Sequence, residues 1–298
     1  MALGFSDFLK RQEIENYSRF DLKSVSAIKV GGRADFAVFP SCEEELIKVI
    51  DFLTDEKIKY RTVGKMTNIL PSDEDYGGVI IFTRHLSKYS VKNNRVYAEC
   101  GVGFTKMLSH LALQNLGGGE ELYGIPGSVG GMIYSNAGAY GKEISELCES
   151  VLLYFPSEKR TITVTSEEMG FSYRTQRYQG TDAVILGASF LFENSPREKT
   201  LEGFSEIIDK RRKTQPYGEK SLGSIFKRHT GTPVSRIIDE LGLKGLRYGG
   251  ALISNKHAGF IVNAGGATSL DIKMLVARIK NEVYKKYGFI PEEEIEYL

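Results

Sequence analysis

The sequence predicts an α+β fold built from two or three packed units, and three observations carry that prediction. The chain opens strand, helix, strand between Lys29 and Val63, a start that suits an α/β fold as well. Short strands and helices then alternate with no internal repeat and no low-complexity tract. Its 298 residues, 41% of them hydrophobic, exceed the size that a single core usually serves.

The elements follow in order. Residues 29–39 alternate loosely, as a strand entered through a turn. After Pro40, Ser41 and Glu44 have the spacing of a capping box, opening a helix that carries Leu46, Ile47, Val49, Ile50 and Leu53. Tyr60–Val63 reads as a strand running into Gly64. Strands at 78–83 and 95–100 precede a helix over 104–116, which Gly117, Gly118 and Gly119 should stop. Further strands are expected at 151–155, 161–164 and 183–192. A helix over 201–214, ended by Pro216, marks the boundary to a third block. There Thr232 should cap a helix with Pro233 in its first turn and Gly242 at its end. The last helix opens at a second capping box, Thr268 with Asp271, and its stripe Ile272, Leu275, Val276, Ile279 and Val283 faces a core until Gly288.

Composition narrows the function. With 39 basic and 38 acidic side chains the net charge is +1, too little to gather nucleic acid or an anionic membrane, so a small partner is expected. Cys42, Cys100 and Cys148 lack the close pairing of a zinc site or redox dithiol; they read as reduced thiols, and no metal is expected. No apolar run approaches the roughly 18 residues of a membrane span, and residues 1–10 lack a signal peptide's basic-then-apolar order. The expected compartment is the cytoplasm.

The densest motif has glycines at 124, 127, 130, 131, 138 and 141. Without Cβ atoms, consecutive backbone N–H groups can converge on an anion such as a diphosphate; a glycine loop packed for its own sake is the alternative. The pattern is neither a P-loop nor a strand-bound dinucleotide fingerprint. Gly64 to Leu70 follows a strand and can present N–H groups with Thr67 and Asn68 to the same anion, though such a turn is often only a turn. Arg174, after Tyr173, can hold a carboxylate bidentately or be a plain surface cation. Ser224 follows Gly223 where a hydroxyl can meet a ligand, but no hydrolase triad surrounds it. His257, by itself, reads as a polar loop residue, and the tail from Pro291 to Glu296 as a solvated acidic end.

Taken in order, these motifs resemble one family across nearly the whole chain, the UDP-N-acetylenolpyruvoylglucosamine reductase (MurB) family. The resemblance is carried by Val30-Gly-Gly-Arg-Ala-Asp35, the run from Gly124 to Gly131, Asn136 to Gly141, Tyr173-Arg174, Gly223 to Arg228, Gly242-Leu-Lys-Gly245 and Lys256 to Asn263. The spacing after Tyr173 is similar to that of the shorter, type II subclass. The resemblance implies a two-subdomain FAD-binding module of the vanillyl-alcohol-oxidase (PCMH) type, at 1–83 and 84–197, followed by an α+β substrate-binding domain at 198–298.

It further implies an oxidoreductase in which FAD, reduced by NADPH, passes a hydride to UDP-N-acetylglucosamine enolpyruvate during peptidoglycan precursor synthesis. Arg174 and Glu294 match the residues that stabilise the enolate, and Ser224 matches the proton donor. A nearby cation or water is expected to assist Ser224, with Lys227 a candidate by proximity alone. Flavin contacts are implied at Gly64, Lys65, Met66, Thr67, Asn68 and Ile69. They continue through Gly124, Ile125, Pro126, Gly127, Ser128, Gly130, Gly131 and Asn136. Substrate contacts are implied at Tyr173, Arg212, Lys213, Lys227, Arg228 and His257. No nucleic acid and no membrane insertion are expected, with a monomer favoured.

Three departures from the family pattern matter. Lys65 and Met66 stand where glycines are usual, and FAD should still bind if their side chains point outward. His229 replaces a common proline. Glu294, close to Leu298, needs pinning by Ile295 and Tyr297. The rival readings are another FAD-dependent oxidase of the same fold and a catalytically silent nucleotide-binding protein.

Overall fold

A computed structural model describes residues 2–298, and the chain folds as two compact units. One comprises the segment ending at Ser18 with Phe36–Lys65 and Gly78–Ile208. The other gathers Arg19–Asp35, Met66–Gly77 and Asp209–Leu298. Met1, where the first expected block begins, lies outside the described residues.

A four-stranded sheet runs in the order Glu15–Asp21, Arg33–Phe39, Tyr76–Phe82, Tyr60–Val63, the last two parallel with Tyr60 opposite Val79 and Val63 opposite Phe82. The helix Glu43–Asp55 buries Leu46, Val49, Ile50 and Leu53 against Val79 and Ile81, while Ile47 stays half-buried. Its N-cap is Cys42 rather than Ser41. Glu44 is taken by Lys48 one turn on (2.8 Å), so Glu45 accepts the Ser41 N–H instead (2.8 Å). The helix Ala2–Arg11, which the periodicity did not flag, places Phe5 and Leu9 in the same core.

A five-stranded antiparallel sheet follows, ordered Arg160–Thr165, Cys148–Phe155, Val184–Leu191, Arg95–Glu99, Tyr89–Lys92. Its core sets Phe104, Met107, Leu108 and Leu111 of the helix Phe104–Ala112 against Val151, Leu153, Ala188 and Phe190. That helix stops short of the expected 116. Asn115 takes a left-handed φ of +59°, a conformation asparagine tolerates, and Leu116–Gly117 leaves to pair with Glu193–Asn194. Cys42, Cys100 and Cys148 are unpaired, and burial pushes the Cys100 and Cys148 thiols up to about 12.

The second unit contains an antiparallel sheet ordered Ser221–Ser224, Phe260–Asn263, Ala251–Ile253, Arg247–Tyr248, packed on the helix Ser269–Tyr287. The second capping box forms as expected. Asp271 N–H donates to the Thr268 hydroxyl (3.1 Å), Thr268 N–H to the Asp271 carboxylate (3.0 Å), and Gly288 ends the helix at φ +77°. Ile272, Leu275, Val276, Ile279 and Val283 are all buried. Thr232, however, does not cap the helix Val234–Glu240. A tight turn exchanges two backbone hydrogen bonds between His229 and Thr232, and Pro233 becomes the cap residue.

Segments early in the chain join this unit for identifiable reasons. Asp73 accepts the exposed N–H groups of Ser269 (2.7 Å) and Leu270 (2.9 Å) at the helix start, where a carboxylate also favours the helix dipole. Asn263 donates to the Ile28 carbonyl (2.9 Å), and Ile28 and Val30 enter the core.

Candidate active site

In the first unit the two glycine segments meet. The strand Tyr60–Val63 delivers Gly64 against Ser128, where a Cβ on Gly64 would stand only 2.2 Å from the Ser128 hydroxyl oxygen. Ser128 caps the short helix Val129–Tyr134, and its hydroxyl accepts the Gly131 N–H (3.4 Å). Not every N–H in the segment is available to a ligand. Gly124 donates to Thr105, Ile125 to Leu122, Val129 to Val102 and Gly130 to Cys100. Among the described residues, the N–H groups of Gly127 and Ser128 have no partner, and Pro126 has no N–H to place. That pair is a cradle for an anionic oxygen.

Lys65 borders the cradle. Its Nζ lies against Gly103, 2.7 Å from where a Cβ would be, and Gly103 bridges to Ser128. Desolvation first, and then Lys106, pushes the Lys65 ammonium down, and an anion between the two cations would relieve this. The condition set for FAD binding, that both replacement side chains point outward, is half met. Lys65 is exposed, but Met66 turns inward, 2% exposed with φ +49°, because its carbonyl accepts the Ala27 N–H (3.3 Å) and the turn is tied down. Thr67 is half-buried, and Ile69 pairs with Glu296. Asn68, expected on the diphosphate, donates its amide to the Glu294 carbonyl (2.9 Å).

Asn136, expected among the cofactor contacts, is wholly buried and bonded to protein on every side. Its amide donates to Glu143 (2.8 Å) and the Ser172 carbonyl (2.9 Å), and its Oδ1 accepts the Ser145 N–H (3.2 Å). What it builds is the seat of Arg174. That guanidinium donates to the carbonyls of Gly138 (2.7 Å) and Asn136 (3.3 Å), with Glu143 at 3.9 Å and the Tyr173 ring centroid at 5.0 Å. Arg174 sits in a tight Ser172–Thr175 turn at φ +57°, a strain on the order of 1–3 kcal/mol for a residue with a Cβ. Glu143 gave no sequence signal, since a lone glutamate after a glycine turn has none.

Ser224 and Glu294 lie in the second unit, and backbone pairing brings their neighbourhoods together. Glu294 N–H donates to the Ile225 carbonyl (2.8 Å), Phe226 bridges Glu293, and Lys227 N–H donates to the Glu292 carbonyl (2.9 Å). Ser224 ends its strand after Gly223 at φ +79°, and its hydroxyl donates to the Phe226 carbonyl (3.3 Å). Lys227, the candidate to assist Ser224, instead places its ammonium on Glu292 (2.6 Å). Glu294 is held on its other side by Asn68, by the parallel pairing of Glu296–Tyr297 with Ile69–Leu70, and by Ile295, which is 5% exposed. Tyr297 does not pack inward; its hydroxyl bonds Glu293 from an exposed ring.

The expected substrate contacts are more dispersed. Arg212 and Lys213 are exposed at the end of the helix Arg197–Thr214, with Arg212 over the Tyr217 ring (5.8 Å) and its carbonyl accepting Lys256 Nζ. Arg228 is exposed. His257 accepts the Gly259 N–H at Nδ1 (3.1 Å), and burial, followed by Lys244, lowers its pKa from 6.5 and keeps the ring neutral at pH 7.

Known proteins resemble this chain along most of its length. An FAD binding domain model matches residues 34–160, and the C-terminal domain model of UDP-N-acetylenolpyruvoylglucosamine reductase matches 215–298. The reductase of Caldicellulosiruptor bescii is 38% identical over 302 residues, covering 99% of this chain and 95% of its own. The chain belongs to the UDP-N-acetylenolpyruvoylglucosamine reductase family.

Other members agree with that placement. The Thermotoga maritima reductase is 38% identical over 272 residues, 91% of this chain and 94% of its own. The crystal structure of the Thermus caldophilus reductase superposes with a TM-score of 0.81 at 30% identity, covering 95% of this chain and 98% of that one. A berberine bridge enzyme variant, 13% identical with a TM-score of 0.51, shares the fold alone, over 65% of this chain and 44% of its own. The expected FAD-binding fold with the reductase family's C-terminal domain is therefore borne out, as is the oxidoreductase class. No helix among the described residues is long and apolar enough to cross a membrane.

Proposed function

We propose that this chain reduces UDP-N-acetylglucosamine enolpyruvate to UDP-N-acetylmuramate with NADPH, in the cytoplasmic synthesis of peptidoglycan precursors. The observation that carries the reading is the second unit's ladder, which fixes Glu294 beside the strand ending at Ser224 in a chain 38% identical to a named reductase. The three-block division at 83 and 197 is part of the proposal, and the core of residues 96–204 under the five-stranded sheet supports its middle block.

The residues present fit FAD. The partnerless N–H groups of Gly127 and Ser128, the Gly64 approach that a Cβ would fill, and the Lys65 ammonium suit its diphosphate. When bound, FAD supplies hydride transfer, from NADPH and then to the methylene carbon of the enolpyruvyl group.

The remaining chemistry belongs to side chains. Hydride arrival puts negative charge on the enolpyruvyl carboxylate. Arg174 offers a planar fork of N–H donors to those oxygens, and Glu294, carrying a proton, donates to the enolate; each such donor contributes about 3–4 kcal/mol in a dry site. Ser224 Oγ gives its proton to the carbon bearing the carboxylate, completing addition of H⁻ and H⁺ across the double bond. Arg212, Lys213, Arg228, Tyr173 and His257 are proposed to receive the nucleotide sugar.

Stopped-flow flavin absorbance tests the reading. With Ser224→Ala, FAD content and bleaching by NADPH should persist, while recovery on adding the enolpyruvyl sugar should slow by at least about 10²-fold. Equal loss in both half-reactions would make Ser224 structural. Oxygen consumption with simple sugars would favour an oxidase, and purified protein without a yellow cofactor would favour a silent binding protein.

A further inference from the structure

The structure assigns Glu143 the task of positioning Arg174, through a carboxylate that accepts the Asn136 amide at one oxygen and faces the guanidinium with the other. This rests on the reading that Arg174 meets the substrate carboxylate. Glu143 Oε2 accepts the Asn136 amide (2.8 Å), while Oε1 faces Arg174 Nη1 at 3.9 Å. Asn136 is wholly buried and its own carbonyl accepts that same Nη1 (3.3 Å). The Nη2 end is held by the Gly138 carbonyl (2.7 Å), and Gly138 is the hairpin partner of Glu143. Asn136 and one short hairpin thus supply both carbonyls that accept from the guanidinium and the carboxylate that faces it, and in that hairpin a Cβ on Gly138 would stand 2.6 Å from the Lys142 carbonyl.

The chemistry of the pair excludes close substitutes. Residue 143 accepts the Asn136 amide (2.8 Å) and sets a negative charge 3.9 Å from the guanidinium, so it must be both an acceptor and an anion. A glutamine has one carbonyl oxygen and would turn its NH₂ toward a donor. An aspartate keeps both acceptors on an arm one methylene shorter. Two backbone hydrogen bonds between Ser172 and Thr175 close the turn at Arg174, fixing the path of the chain and leaving the direction of the fork to its side-chain partners. The Glu143 backbone is anchored too, its N–H donating to Glu146 Oε1 (2.7 Å).

Glu143 touches no reacting atom on this account; it acts through Arg174. Glu143→Gln should slow oxidation of the reduced protein by the enolpyruvyl sugar by about 10- to 100-fold, with kcat falling more than KM rises, and Glu143→Asp should lie between. Placed in an Arg174→Lys background, Glu143→Gln should add little further loss. Wild-type rates in Glu143→Gln, or losses that multiply fully in the double variant, would overturn the assignment. A crystal structure of the Glu143→Gln protein decides the point without substrate. The guanidinium should leave the Gly138 and Asn136 carbonyls, and its retention on both would overturn the assignment. Wild-type protein inert toward the enolpyruvyl sugar would instead sink the reading of Arg174's substrate, leaving that crystallographic result standing.

Discussion

Arg174 and Glu294 are held in opposite ways. Arg174 is gripped by side chain to carbonyl bonds from residues 136–143, a neighbourhood closed within 38 positions of it. Glu294 is held by backbone: its N–H on Ile225, its carbonyl on Asn68 226 positions away, and the following residues paired with Ile69–Leu70. The first device fixes a fork's direction and tolerates little change in side-chain chemistry. The second fixes a chain's path and tolerates almost any side chain, provided the strand stays docked. A side chain on a short terminal strand can thus be as firmly placed as one in a packed interior, if the ladder that carries it closes on a core.

Three experiments would break or sharpen this contrast. The largest effect is expected from Glu294→Gln, which keeps every backbone bond and removes the acid. Oxidation of the reduced flavin by the enolpyruvyl sugar should slow by about 10²–10³-fold with an unchanged melting temperature. A drop in stability would show that the carboxyl, and not the ladder, holds the strand.

Next comes Ile295→Ala. Ile295 is 5% exposed and packs in the second unit's core, so its truncation should cost about 2–4 kcal/mol in chemical denaturation. The same change should raise hydrogen exchange at Glu294 and Glu296 while leaving the amides around Asn136 as protected as before. Loss of protection at both places would mean that the two devices are not independent.

The smallest effect concerns pH. Backbone hydrogen bonds from Thr268, and then Gly250, hold the Asp271 carboxyl below its ordinary 3.8. A carboxylate with a depressed folded pKa contributes stability that is present above the unfolded value and lost as pH falls through the folded one. Denaturation midpoints should therefore drop at the acid end, and Asp271→Asn should flatten that limb. An unchanged acid limb would show that the helix start is held by Asp73 alone.

Much of this was legible beforehand because it is local. The second capping box and the stripe of the helix Ser269–Tyr287 depend on residues within a few turns of one another, and glycine spacing depends only on the missing Cβ. Misreadings fell where a neighbour competed. Ser41 lost its cap role once Lys48 claimed Glu44, and Thr232 was taken by the turn at His229. Asn136, a flavin contact that the resemblance implies, has its side chain taken by Glu143, Ser172 and Ser145, partners that a polar residue among glycines does not announce.

By itself the sequence determined most of the element types, the glycine loops and the order of motifs that marks the family, and it nominated Arg174, Ser224 and Glu294 for the proposed chemistry. Tertiary structure alone decided that Met66 turns inward, that Asp73 and Asn68 serve the second unit, and that Glu143 stands beside Arg174. The reason is physical. Periodicity and capping act over one or two turns, whereas a hydrogen bond between residues far apart in the chain exists only after the chain between them has folded.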